Sequence, residues 1–158
     1  MQAAANQKKT VKIAQFDKAG HLTGVADVDR IVKTDAEWRK QLSDDAYDVA
    51  RHKGTERAFM NSFHDNHRDG LYSCVCCGTM LFDSKTKFDS GTGWPSFWAP
   101  IAKENVTVGT DLSLGMARDE VDCARCDGHL GHVFDDGPKP TGKRYCMNSA
   151  SLVFTARG

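Results

Sequence analysis

The chain has 158 residues, 40% hydrophobic and 27% charged, an ordinary composition for one folded domain with little room for a second. Its 21 basic and 21 acidic residues cancel, so no broad electrostatic field draws it to nucleic acid or to an anionic membrane, and neither is expected as a partner. No apolar run approaches the roughly 18 residues that a spanning helix needs.

Residues 1–33 read as a tail followed by an edge hairpin, and residues 34–158 as the functional domain. The opening Met1-Gln2-Ala3-Ala4-Ala5-Asn6-Gln7-Lys8-Lys9 lacks an apolar signal core. It fits a native tail, for which the cytoplasm is the default location, or the remainder after an export signal was removed, which points to the periplasm. Apolar and polar residues alternate over 11–16, turn residues fill 17–24, and a partly alternating pattern returns over 25–32. Thr34-Asp35-Ala36-Glu37 is a capping box, and Trp38 and Leu42 lie one turn apart behind it, which predicts a short helix. Ser43-Asp44-Asp45 starts a second helix that carries Ala46, Val49 and Ala50 to Arg51, with Gly54 as its stop.

From residue 71 the character changes to short apolar runs broken by Gly, Pro, Asn and Asp. Strands are predicted over 79–82, 106–114, 116–122, 130–134, 144–149 and 151–155, and none is followed by a long helical pattern. The expected fold is therefore mainly β: two antiparallel sheets with a metal site at one end and short helices near the amino terminus.

Six cysteines are clustered as Cys74, Cys76 and Cys77, then Cys123 and Cys126, then Cys146 alone. Cys74-x-x-Cys77 and Cys123-x-x-Cys126 repeat the short pair that wraps one side of a tetrahedral ion, and together they supply four soft ligands, so zinc is favoured over disulfides. Each pair is followed by glycine, Gly78 and Gly128, as tight knuckle turns often require. About 45 residues separate the pairs, so the ion would staple distant parts of one domain and stay closed to substrate.

Ser90-Gly91-Thr92-Gly93-Trp94-Pro95-Ser96-Phe97-Trp98 places three large aromatics on glycine-loosened backbone. Phe97 and Trp98 read as cover for the core. Trp94, preceded by two glycines and held by Pro95, reads as a ring presented from a loop, suited to a small apolar or sulfur-bearing group. His129 and His132 flank Leu130-Gly131. With four thiols already available to an ion, these imidazoles are free for proton transfer, while a structural role stays open for each. The turn-rich run 135–142 returns the chain so that the histidines and Cys146 can lie on neighbouring strands. Read as a strand, Arg144, Cys146 and Asn148 share one face. That face sets a thiol between a cation and an amide, the ingredients of a nucleophile. A small buried core cysteine is the other reading of the same spacing.

Taken in order, the two Cys-x-x-Cys pairs, Trp94-Pro95-Ser96-Phe97, Gly128-His129-Leu130-Gly131-His132-Val133-Phe134, Asp136-Gly137-Pro138 and Arg144-Tyr145-Cys146-Met147-Asn148-Ser149 resemble the B-type methionine sulfoxide reductases over roughly residues 34 to 155. The resemblance implies a zinc-bearing fold, reduction of the R epimer of methionine sulfoxide in peptides or proteins, and recycling by thioredoxin or another thiol, in a chain expected to be monomeric. It implies Cys146 as the nucleophile that becomes a sulfenic acid, with His129, His132 and Asn148 holding and protonating the oxygen. Arg144 would favour the thiolate, Trp94 and Phe134 would hold substrate, and Cys74, Cys77, Cys123 and Cys126 would bind Zn2+. Where many members of that family carry a resolving cysteine, this chain has Thr92, which cannot form a disulfide. Cys76 is then the remaining cysteine that could resolve the sulfenic acid, and an external thiol is the other route. Two different readings compete: a non-catalytic zinc module that binds a ligand through the aromatic pocket, and a dithiol oxidoreductase built on Cys74 and Cys77.

Overall fold

The computed structural model describes residues 9–157, so most of the amino-terminal tail lies outside the described residues. Strands β1 (Thr10–Phe16) and β2 (Leu22–Asp29) form the first hairpin. Its turn is tightened by Asp17, whose Oδ1 accepts from the backbone N–H groups of Ala19 and His21, both at 2.9 Å. This short turn starts β2 three residues earlier than the alternation predicted. Ile13 and Ala14 are buried, and Asn105, itself fully buried, hydrogen-bonds both backbone groups of Ala14 and the carbonyl of Met80. One amide side chain thus satisfies backbone that would otherwise be orphaned against the core.

Helix α1 (Asp35–Gln41) begins with the expected capping box: Thr34 Oγ1 accepts from Glu37 N at 3.2 Å, and Glu37 Oε1 accepts from Thr34 N at 2.8 Å. Its buried Trp38 carries the Arg51 guanidinium over its ring at 4.2 Å. Helix α2 (Asp44–Ala46) is capped by Ser43 and runs on as a π-helical turn, Tyr47–Arg51. The left-handed residue that ends it is Lys53 (φ 56°), whereas Gly54 lies one position beyond and donates its N–H back to the Asp48 carbonyl. The expected glycine stop is therefore displaced by one residue. No helix among the described residues is long and apolar enough to cross a membrane.

The remaining strands form two antiparallel sheets. Strands β3 (Gly70–Cys74), β4 (Met80–Asp83) and β11 (Leu152–Ala156) make one, ordered β11-β3-β4. Strands β5 (Lys87–Phe88), β6 (Ser96–Phe97), β7 (Val106–Asp111), β8 (Arg118–Cys123), β9 (His129–Phe134) and β10 (Arg144–Met147) make the other, ordered β5-β6-β10-β9-β8-β7. The mainly β expectation holds, with β3, β5 and β6 added to the predicted strands. Strands β7 and β8 are shorter than their apolar patterns because a 3-10 turn, Ser113–Gly115, bends the chain between them and Gly115 takes φ 67°.

The core lies where the two sheets face each other. Phe97 stacks on Phe82 at 4.3 Å and meets Tyr72 edge-on at 5.1 Å, while Leu81, Leu130, Val121 and Met147 fill the space around them with no exposed surface. Phe97 is thus the core residue expected, and Trp98 is only half-buried. On β10, Tyr145 tilts against Phe82 and Met147 is buried, so alternation turns Arg144 and Cys146 the other way, to the cleft described next.

Candidate active site and metal centre

The two Cys-x-x-Cys segments fold as matching knuckles. In the first, Gly78 N donates to Cys74 O at 2.9 Å and Cys74 N to Thr79 O at 2.8 Å. In the second, Asp127 N donates to Cys123 O at 2.9 Å and Cys123 N to Gly128 O at 2.8 Å. The left-handed positions are Gly78 (φ 78°) and Asp127 (φ 62°), so the second knuckle places aspartate, a residue that tolerates this region, where glycine was expected. Gly128 answers a different need, because a Cβ there would stand 3.3 Å from both Arg51 and the Cys126 sulfur.

The knuckles bring four sulfurs within 4.8 Å of one another, with Cys74–Cys126 at 3.7 Å and Cys77–Cys123 at 3.6 Å. Tetrahedral thiolates at a zinc–sulfur distance of about 2.3 Å stand ~3.8 Å apart, so the four cysteines can hold a metal ion with little movement. Cys76 is buried beside this cluster: its sulfur lies 4.0 Å from Arg51 Nη1, and its carbonyl accepts from Gln41 Nε2 at 2.7 Å.

Cys146 sits elsewhere. On β10 it lies opposite His132 of β9 on one side and opposite Ser96 of β6 on the other. A cleft of about 100 Å³ opens there, lined by Thr55, Trp94, Arg118, Gly131, His132, Phe134, Cys146 and Asn148. Gly131 is required by the approach of β10, since a Cβ would fall 2.1 Å from the Cys146 carbonyl. The partly buried sulfur is 4.0 Å from Thr92 Oγ1. Burial pushes the Cys146 thiol up, and Thr92, the Arg144 charge and Ser96 only partly oppose this. Burial thus works against the thiolate that Arg144 is expected to favour. Arg144 is partly diverted from the sulfur, because its guanidinium forms a two-point pair with Asp136 at 2.8 and 3.2 Å and lies 4.4 Å over the Phe134 ring.

The two histidines reach one face through a bulge. Val121 pairs with Gly131 but Asp122 with His129, so Leu130 is an extra residue on β9 and a spacing of three acts as a spacing of two. The rings meet edge-on at 5.4 Å. His132 lines the cleft, and its Nε2 is 2.8 Å from Asp111 Oδ2. Burial holds the His132 pKa down, Asp111 opposing, and the same contact keeps Asp111 well below the usual carboxylate range. His129 is buried behind it, with Nδ1 2.8 Å from Glu120 Oε2, and Lys53 Nζ closes the far side of Glu120 at 3.1 Å. Burial works against the Glu120 charge, yet hydrogen bonds from Asp122 and Lys53 and the neighbouring His129 hold its pKa down, while burial lifts Asp122 to about 6.

Asn148 lines the cleft but is also occupied structurally: Nδ2 donates to Leu130 O at 3.2 Å, and Oδ1 accepts from Glu56 N at 3.2 Å. Glu56 is the organiser that sequence reasoning missed. Its carbonyl accepts the Trp94 indole N–H at 3.0 Å, and its carboxylate receives the backbone N–H groups of Ser149 and, at 2.8 Å, Ala150. One residue therefore sets the Trp94 ring, the Asn148 amide and the chain after β10. Asp111, Arg118 and Glu120 were also missed, since each acts on a partner brought near only by strand pairing.

The SelR domain family matches residues 42–156. A peptide methionine sulfoxide reductase MsrB of Hahella chejuensis is 58% identical over 127 residues, covering 80% of this chain and 91% of the relative. An MsrB of Herminiimonas arsenicoxydans is 56% identical over 128 residues, covering 81% of this chain and 93% of the relative. A chloroplastic peptide methionine sulfoxide reductase B1 of Oryza sativa subsp. japonica is 62% identical over 120 residues, 75% of this chain and 56% of that protein. The chain belongs to this SelR family of B-type methionine sulfoxide reductases.

Proposed function

We propose that this chain reduces methionine-R-sulfoxide in peptides or proteins, that Cys146 passes through a sulfenic acid, and that thioredoxin or another thiol returns it to the thiol. The observation that carries the reading is the place of Cys146: a lone, partly exposed thiol in a cleft walled by Trp94 and Phe134 and faced by His132. Aromatic walls suit the methyl group and sulfur of the substrate. Cys146 attacks the sulfoxide sulfur, the oxygen passes to the cysteine, and the thioether leaves. The oxygen needs a proton, which His132 would deliver, with His129 supporting it from behind and Asn148 steadying the oxygen from the cleft wall; the ring contact and the shared lining support this. Arg144 moderates the cost of negative charge on the sulfur.

Thr92 stands 4.0 Å from the Cys146 sulfur, so the place from which a thiol could resolve the sulfenic acid holds a hydroxyl instead. Cys76 is buried among the knuckles with Arg51 against its sulfur and is not a wall of the cleft, which favours an external thiol over Cys76 as resolver. Cys74, Cys77, Cys123 and Cys126 would hold Zn2+, a structural ion whose closed coordination keeps it out of the chemistry.

The test is a single turnover on separated R and S epimers of a methionine sulfoxide peptide, without added reductant, followed by intact mass and thiol counting. One methionine per chain from the R epimer alone is expected, with a sulfenic acid on Cys146. Cys146→Ser should abolish turnover and leave the fold and bound zinc unchanged. Turnover retained by that variant removes Cys146 from the role. No methionine from either epimer, on folded zinc-loaded protein, moves the assignment to a ligand-binding zinc module.

A further inference from the structure

The carboxylate that meets the cleft histidine His132 lies outside every motif of the chain. We propose that Asp111 is a positioning residue that fixes His132 as the proton shuttle between the Cys146 thiol and the sulfoxide oxygen, an inference that rests on the reductase reading above. The geometry is specific. Asp111 closes β7, three strands away from Cys146 in the sheet order, and its Oδ2 reaches back 2.8 Å to Nε2 of His132. Both side chains are nearly buried, at 15% and 12% exposure, so the contact is little screened by water. Arg118 Nη2 lies 3.4 Å from the same Asp111 oxygen, and the His132 contact itself keeps the carboxylate well below the usual range. Ser113 N donates to the other oxygen at 2.9 Å.

An ionised carboxylate only accepts hydrogen bonds, so Nε2 must carry the ring proton and Nδ1 is left as the lone-pair nitrogen. His132 stands directly opposite Cys146 across β9 and β10, with Cβ atoms of such pairs about 5 Å apart. A neutral thiol and a neutral imidazole with a free lone pair are the two partners that a proton transfer needs. The Cys146 S–H bond breaks and its proton passes to His132 Nδ1 while the sulfur attacks the sulfoxide sulfur. The imidazolium returns that proton to the oxygen, which ends on Cys146 as S–OH as the thioether departs. Cys146 loses two electrons and the substrate sulfur gains two, so this half-reaction needs no other reactant. Asp111 stabilises the transient imidazolium and prevents the ring from turning its N–H toward the thiol. The groups that face His132 are Asp111 from β7, Arg118 and Glu120 from β8, His129 on its own strand and Cys146 from β10; Asp111 is the one hydrogen-bonded to its ring nitrogen.

The test combines Asp111→Asn and Asp111→Glu with 15N chemical shifts of His132 in the full chain. Wild type should show the Nε2–H tautomer. Asp111→Asn, whose amide can donate to the ring, should lose that preference and lower kcat roughly 10²-fold with KM little changed. Its acid pH limb should move to lower pH, because the charge that supports the imidazolium is gone, and Asp111→Glu should recover most of kcat. A merely structural Asp111 would alter thermal stability without moving the tautomer or the limb. An Nδ1–H tautomer in wild type overturns the proposal, whether or not the variants fold, as does Asp111→Asn with kcat and pH limb unchanged. Failure of the reductase reading looks different: wild type that yields no methionine from sulfoxide would remove that reading, while the His132 tautomer would still decide what Asp111 does.

Discussion

The knuckle cluster and the Cys146 cleft use the same element in opposite ways. At the knuckles, four sulfurs lie within 4.8 Å of one another, two pairs of them at 3.6 and 3.7 Å, and are closed in by turns that each satisfy their own backbone. At the cleft, one thiol faces a hydroxyl, a guanidinium already engaged with Asp136, and an imidazole held by a carboxylate. Sulfur that completes its own coordination becomes structure, and sulfur left with unlike neighbours keeps its reactivity. The difference is made by partners, since both regions are strands and turns of one domain.

The comparison is broken most severely at the knuckles. On the zinc reading proposed above, Cys123→Ser would remove a ligand from a site of the kind worth on the order of 10 kcal/mol of apparent binding free energy, against a total domain stability of about 5–15 kcal/mol. The variant should lose zinc and its cooperative thermal transition together, and a normal melting curve with no bound zinc would show that the fold does not depend on the ion.

Glu56 tests whether the cleft is held as firmly from one side as the knuckles are from all sides. Its carboxylate receives two backbone N–H groups and burial raises its pKa. Glu56→Gln keeps the shape but leaves one of those donors poorly matched, costing about 1–3 kcal/mol in denaturant unfolding. Turnover should fall more than stability alone accounts for, because the Trp94 and Asn148 contacts share the same residue.

Arg144→Met sharpens the electrostatic side. Burial has already raised the Cys146 pKa, so alkylation of this thiol should speed up as pH rises through the alkaline range. Removing the guanidinium raises the pKa further and moves the midpoint of that profile upward. Alkylation near neutral pH should slow in proportion to the lost thiolate, by about tenfold if the midpoint rises by about one pH unit. A midpoint that does not move would mean that the Asp136 pair leaves Arg144 with no influence on the sulfur. The smallest effect is expected at Cys76→Ser, where turnover with an external dithiol should be unchanged. A loss there would restore Cys76 as resolver.

Much of the molecule is legible in the residues alone. The capping box at Thr34, the Cys-x-x-Cys spacing within each pair and the face shared by Arg144 and Cys146 each depend on residues a few positions apart, where backbone geometry alone relates them. Local rules also misplaced a few details. Lys53 and Asp127 occupy left-handed positions that glycine nearby was expected to take, because hydrogen bonds across each turn chose the residue. The Leu130 bulge that aligns His129 with His132 needed strand β8 as its template.

What the sequence by itself determined is the chemical inventory: four thiols at metal spacing, one thiol apart, two imidazoles, and aromatic rings on a loosened loop. Residue type and short spacing carry that information because the covalent chain keeps near neighbours near. Only the tertiary structure decided the protonation and orientation of those groups. Burial raises the Cys146 pKa, Glu56 sets Trp94 from 38 positions away, and Asp111 holds His132 from 21 positions away. Such contacts follow from strand order and desolvation, which no local pattern encodes.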